Sequence, residues 1–197
     1  MLQPNPLPPS AWITARAALL HALHGERARC ALDVACGHGR HARWLAQLGY
    51  HVTAVDRDAD ALAALTDAAP AVTPLQADLE NAPWPLPGQT FDVVLVTNYL
   101  WRPLLPTLVA SLAPGGVLLY ETFAAGQETI GRPARAEFLL QPGELLRACA
   151  GLRVLAYEDG FDPDAPRFVQ RIVALRPGAN DPTPQRLPLA RARSGAG

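Results

Sequence analysis

The stretch Leu32-Asp33-Val34-Ala35-Cys36-Gly37-His38-Gly39-Arg40 constrains this chain more than any other. An apolar run with an acid near its end, then two glycines, then Ala42, Leu45, Ala46 and Leu48 at helical spacing before Gly49 reads as strand, tight turn and helix. Glycine has no Cβ, so at Gly37 and Gly39 the backbone turns sharply and a ligand comes close to the main chain. Amides at the start of the following helix favour an anion. Asp33, at the strand exit, faces the same crevice and attracts an ammonium group. The pair suits a ligand carrying charges of both signs.

A second acid closes the next apolar run, His51-Val52-Thr53-Ala54-Val55-Asp56, after a helix of about three turns. In a right-handed βαβ unit successive strand ends lie side by side. That sets Asp56 beside the glycine turn, where its carboxylate accepts hydrogen bonds from two ribose hydroxyls. These residues define a nucleoside-binding crevice open to more than one cofactor. Gly37-x-Gly39-x-x-Ala42 with Asp56 also fits a dinucleotide fingerprint. Asp33 argues against that reading, because it would repel a pyrophosphate at the turn.

The pattern Asp33-x-Ala35-Cys36-Gly37-x-Gly39, followed by Val55-Asp56, resembles motif I and the ribose acid of class I S-adenosylmethionine-dependent methyltransferases. Gln76-Ala77-Asp78-Leu79, Phe91-Asp92-Val93-Val94 and the run from Leu112 to Leu119 resemble later landmarks of that superfamily, in the right order. Gly37-His38-Gly39-Arg40, Asn98-Tyr99-Leu100, Glu121-Thr122-Phe123 and the run from Phe138 to Leu145 bring the chain nearest to small bacterial tellurite-resistance-type enzymes. Ala35 departs from the pattern: it stands where the superfamily often has a glycine, and it is small enough for close approach. The resemblance implies an α/β, Rossmann-like fold: a seven-stranded, mostly parallel sheet with an antiparallel last strand and helices on both faces. It implies S-adenosylmethionine as cofactor, held around Asp33, Ala35, Cys36, Gly37, Gly39, Asp56, Arg57, Asp78, Leu79 and Asn98. In it Asp78 meets the adenine amino group and the Leu79 amide a ring nitrogen; the alternative for Asp78 is a plain turn residue.

Taken in order, residues 1–27 read as an arm and a helix, 28–176 as the cofactor-binding domain and 177–197 as a disordered tail. Ser10 is the N-cap of a helix from Ala11 to His24, ended by Gly25. By resemblance this helix is a lid, with Trp12 and Arg16 facing the crevice and the substrate; the alternative is packing for Trp12 and solvation for Arg16. Helices are expected from Asp58 to Leu65, Pro103 to Leu112 and Pro142 to Ala150. Strands are expected over 71–77, 91–98, 117–122, 152–157 and 168–175. Ligands bind outside the carboxyl ends of such strands, so Asn98, Tyr99 and Trp101 approach the transferable methyl. Tyr99 and Trp101 form an aromatic wall for a sulfonium or simply pack. At the next strand exit Glu121 and Phe123 are substrate contacts, Glu121 being a base candidate or an acid bonded to loop amides. Arg132 and Arg135, on the loop that follows, attract an anion or are solvated.

At 197 residues the chain fits one domain. Seventeen basic residues against 18 acidic ones leave no basic footprint for nucleic acid. Every basic residue is arginine, which excludes Schiff-base chemistry on lysine. Cys30, Cys36 and Cys149 have neither disulfide nor metal-ligand spacing, and Cys30 and Cys36 read as small buried residues, so no metal is expected. With no membrane-length apolar run and no signal-like start, the expectation is a cytoplasmic monomer or homodimer acting on a small molecule. The sequence lacks an Asn-Pro-Pro-Tyr motif for amide nitrogen, which favours a small acceptor. A soft nucleophile such as a thiolate or a metalloid anion needs no base, and no catalytic base is assigned. The alternatives are a non-catalytic S-adenosylmethionine-binding sensor or partner module and, further off, an NAD-dependent oxidoreductase.

Overall fold

The computed structural model describes residues 7–25, 29–66, 71–178 and 187. Short apolar runs punctuated by glycine and proline become strands, and the amphipathic segments between them become helices. The elements are α1 (Ala11–Thr14), α2 (Ala17–His24), β1 (Cys30–Val34), α3 (Arg40–Gln47), β2 (His51–Asp56), α4 (Ala59–Thr66), β3 (Val72–Gln76) and β4 (Phe91–Thr97). They continue with α5 (Leu105–Ala110), β5 (Leu112–Phe123), α6 (Glu144–Ala148), β6 (Arg153–Asp162) and β7 (Arg167–Leu175). One seven-stranded sheet runs β3-β2-β1-β4-β5-β7-β6. The pairings from β3 through β5 are parallel, and β7 is antiparallel to both its neighbours. Strand order reverses between β1 and β4, which opens a crevice above their carboxyl ends.

Both faces of the sheet are covered, so the central strands are apolar throughout rather than alternating. On one face Ile13, Leu20, Leu45, Leu62 and Leu65 from α1 to α4 pack on Val52, Val93, Leu95 and Leu119. On the other, Leu108 of α5 and Leu145 of α6 pack on Val34, Val94, Val96 and Tyr120. The Asp58 side chain caps α4 as expected, accepting from the Asp60 and Ala61 amides at 3.0 Å.

Several boundaries differ from the sequence reading. The first helix is interrupted at Ala15–Arg16, where the Arg16 amide donates to Ile13 at 3.0 Å and tightens the turn. The helix expected to reach Leu112 ends at Ala110, and β5 begins at once, carrying Ala113-Pro114-Gly115-Gly116 as an irregularity opposite Phe91 and Val93. The helix over 142–150 contracts to α6. The β6–β7 hairpin extends to Asp162 and Arg167, so Glu158 faces Arg171 and Asp162 faces Arg167 across it. Cys30, the first residue of β1, is exposed and Cys36 is only half-buried, because each sits at an end of the strand or in the turn beyond it; Cys149 is buried. Of the expected tail, residues 179–186 and 188–197 lie outside the described residues.

Candidate active site

The glycine turn between β1 and α3 is held from both sides. The Cys36 amide donates to Val55 at 3.0 Å and Gly39 to Cys36 at 2.9 Å. Ala35, Gly37 and Gly39 all have positive φ, at 51°, 52° and 67°. A side chain at Gly39 would lie 2.3 Å from Leu65 of α4, whereas the space above Gly37 is open. The Gly37 amide donates to Asp56 Oδ2 at 2.7 Å and the Asp58 amide to Oδ1 at 2.9 Å. The second acid of the sequence pattern is therefore tied to the turn.

Asp33 is 1 % exposed, and its Oδ2 has no partner among the described residues. Burial pushes its carboxyl up to about 7, against the Ala42 amide and the Arg40 charge, which lower it. A buried carboxylate oxygen with no donor costs free energy that a cationic ligand group would return.

Asp78 uses both oxygens within its own turn: Oδ1 accepts from the Glu80 and Asn81 amides at 2.9 and 3.1 Å, and Oδ2 from Asn81 Nδ2 at 2.9 Å. The Asn81 amide and those backbone donors hold it below the usual carboxylate range. Leu79 packs against the core nearby, and the exposed Arg57 has its carbonyl bonded by Gln76 Nε2 at 3.2 Å. Tyr99 follows the end of β4 and is half-buried. The charges around its phenol are Glu80, Asp78, Arg57 and Asp56, and burial together with these acids pushes its ionisation up. Trp101 is 36 % exposed.

Beyond the carboxyl ends of β4 and β5 lies a closed ring of polar contacts. Thr97 Oγ1 meets His41 Nδ1 at 3.2 Å, and His41 Nε2 accepts from the Ser10 amide at 3.0 Å. Ser10 Oγ donates to Glu121 Oε2 at 3.1 Å. Arg167 Nη2 donates to Glu121 Oε1 at 2.9 Å and its Nη1 to Asn98 Oδ1 at 3.3 Å, which returns the ring to the residue after Thr97. His41 is buried and neutral, its ionisation driven down to about 3 by burial and the Arg40 charge. Asn98 sits at φ 54°, a left-handed position that asparagine tolerates.

Glu121 is fully buried, and Arg171 Nε adds a further bond at 2.7 Å. Its carboxylate is taken up by two guanidinium groups and a hydroxyl, which leaves it no role as a free base. Arg171 also meets Glu158 at 3.2 Å and pairs with Asp162. Although burial works against its charge, Glu121 and Asp162 hold it above its ordinary value. Trp12 donates to Glu158 at 2.8 Å, with the guanidinium of Arg16 4.3 Å from its ring centre. Arg16 is buried rather than solvated. Phe123 is half-buried, and its carbonyl accepts from Leu140 at 3.0 Å, anchoring the loop after β5. Arg132 is exposed, and Arg135 pairs with Glu137 on the surface.

Sequence reasoning missed Arg40, His41, Thr97, Arg167 and Arg171, and took Ser10 only as a cap. The one signal available was the spacing of Arg167 and Arg171, which shares a strand face. Their carboxylate lies 46 and 50 residues away and shows no local pattern. Among the described residues no group of three His, Cys, Asp or Glu is placed to hold a metal, and no helix is long and apolar enough to cross a membrane.

A parallel sheet with a reversed last strand, a glycine turn flanked by two acids and a crevice at the strand-order switch are the layout of a class I S-adenosylmethionine-dependent methyltransferase domain, and the chain carries a match to such a domain. Residues 31–116 match the family model described as a methyltransferase domain. The trans-aconitate 2-methyltransferase of Paracidovorax citrulli is 33% identical over 148 residues, 68% of this chain and 55% of that protein. Among solved structures, TehB from Haemophilus influenzae superposes with a TM-score of 0.61 at 20% identity, over 80% of this chain and 61% of that one. An S-adenosylmethionine-dependent methyltransferase from Mesorhizobium loti gives 0.61 at 21%, over 82% and 98%. The chain spans about half the length of the curated relatives it matches. S-adenosylmethionine is the cofactor of the family, and the site fits it: an orphaned buried acid, open space over Gly37 and a turn-bound Asp56.

Proposed function

We propose that the protein transfers the methyl group of S-adenosylmethionine to a small, soft, anionic acceptor such as a thiolate or a metalloid oxyanion. The cofactor supplies an electrophilic methyl whose departure leaves a neutral thioether, so no acid is required. Asp33 would face its ammonium group, Gly37 and Gly39 its close approach to the main chain, and Asp56 its ribose. By resemblance Asp78 and Leu79 would serve the adenine, and Asn98 the reacting end.

The observation that carries the acceptor class is the state of the polar groups at that end. Glu121 is saturated by Arg167, Arg171 and Ser10, and both nitrogens of His41 are engaged. Neither offers a base, which favours a nucleophile that attacks without first losing a proton. The guanidinium groups of Arg16, Arg40, Arg167 and Arg171 stand against the carboxylates of Glu121, Glu158 and Asp162. The arm residue Trp12, bonded to Glu158, would supply apolar surface beside these charges. Catalysis then rests on positioning and exclusion of water, which contribute roughly 7 to 11 kcal/mol in well-oriented reactions.

The test is S-adenosylhomocysteine formation by purified protein with a small thiol, selenite, a dicarboxylate and a phenol. Turnover of the thiol or the oxyanion, with the phenol inert, is the expected result. Turnover of the phenol alone would overturn the acceptor class. Binding of S-adenosylmethionine with no turnover of any acceptor would favour the sensor reading.

A further inference from the structure

Tyr99 stands at the exit of β4, two strands from β2, yet the charges around its phenol come from the ends of β2 and β3: Glu80, Asp78, Arg57 and Asp56. Its hydroxyl is buried and has no hydrogen-bond partner among the described residues. The main chain beneath it is fixed, because the buried Tyr120 donates its hydroxyl to the Tyr99 carbonyl at 2.9 Å. The ring packs against the apolar cluster under β4 and β5, to which Leu75, Leu79 and Trp84 also contribute. A phenol surrounded by carboxylates keeps its proton and is a donor. A buried donor left unpaired is costly, and the acids that act on it are those at the end of β2 and in the turn after β3.

We propose that Tyr99 is a nucleoside-binding residue, its hydroxyl donating to an acceptor atom of the cofactor's adenosine, a ring nitrogen or a ribose oxygen. The assignment differs from the aromatic wall beside the sulfonium that the sequence suggests. It rests on the cofactor assignment above, and it makes the crevice selective for a ligand that offers an acceptor at this point. A nucleoside lacking one would leave the phenol unpaired.

Calorimetric titration with S-adenosylhomocysteine and with 5′-deoxy-5′-methylthioadenosine, which lacks the amino-acid end, tests this in the wild type and in Tyr99→Phe. The wild type must bind S-adenosylhomocysteine; if it does not, the cofactor reading fails, independently of Tyr99. Given that binding, Tyr99→Phe is expected to weaken both ligands by the same factor, about five- to tenfold, with the melting temperature unchanged or raised. Unchanged affinity for S-adenosylhomocysteine would overturn the proposal. A loss seen with S-adenosylhomocysteine but not with methylthioadenosine would overturn it too, by placing the hydroxyl at the methionine end.

Discussion

Two residues of the glycine turn are under visible tension. Asp33 is buried with an unpaired oxygen, and burial lifts its carboxyl to about 7. Between roughly pH 4 and 7 the folded protein keeps a proton there that the unfolded chain has released. Stability without ligand should therefore fall as pH rises through that window and level off above it. Binding of a ligand ammonium needs the ionised form and runs the other way. Affinity for S-adenosylhomocysteine should be about tenfold weaker at pH 6 than at pH 8, and Asp33→Asn should flatten that dependence; titrations at both values decide it. Ala35 holds φ at 51°, where an L-residue costs about 1–2 kcal/mol and glycine does not. Set against the entropy that glycine adds to the unfolded chain, Ala35→Gly should stabilise the fold by about 0.5–1 kcal/mol in urea denaturation. Positions like these were half-legible. Small residues and acids announced a turn with a polar ligand, but burial and dihedral angle depend on α3, α4 and β4 closing around them.

Among the elements, the strands and the βαβ order followed from apolar runs, glycine stops and the Asp58 cap. The errors have a common origin. Each helix or strand end was read from local punctuation, and each was moved by a partner distant in sequence. Pro114-Gly115-Gly116 looks like a turn preceding a strand, yet Leu112 already pairs with Phe91, so the turn becomes a bulge inside β5. Gly116 makes that possible: a Cβ there would lie 2.7 Å from the Phe91 carbonyl and 2.8 Å from that of Ala113. Both obstacles are backbone and cannot swing away. Gly116→Ala should cost about 1–3 kcal/mol of stability in urea denaturation, while leaving the pH dependence of ligand binding in place. The β6–β7 hairpin ran longer than its apolar pattern because its outer half is held by charge. Glu158 and Asp162 meet Arg171 there, and Phe161 packs on Phe168 with ring centres 5.2 Å apart.

At the scale of the molecule, Glu121 joins β5, β7 and the segment before α1 through Arg167, Arg171 and Ser10. Removing its charge leaves two largely buried guanidinium groups poorly compensated. Glu121→Gln should lower stability by about 3–5 kcal/mol, far more than Arg135→Ala at the exposed pair with Glu137. Neither pair could be ranked from sequence, where both are simply an arginine and a glutamate. The ring through Thr97, His41, Ser10, Glu121, Arg167 and Asn98 adds something that no single contact has. It acts as a hoop: a cut anywhere slackens the whole circumference, and a second cut finds little tension left to release. Ser10→Ala and Thr97→Val should therefore resemble each other in their effect on the acceptor end, and the double variant should fall short of their sum. Because the ring draws on segments from both ends of the chain, a substitution at any one member is shared by the whole circuit rather than absorbed by its neighbours alone.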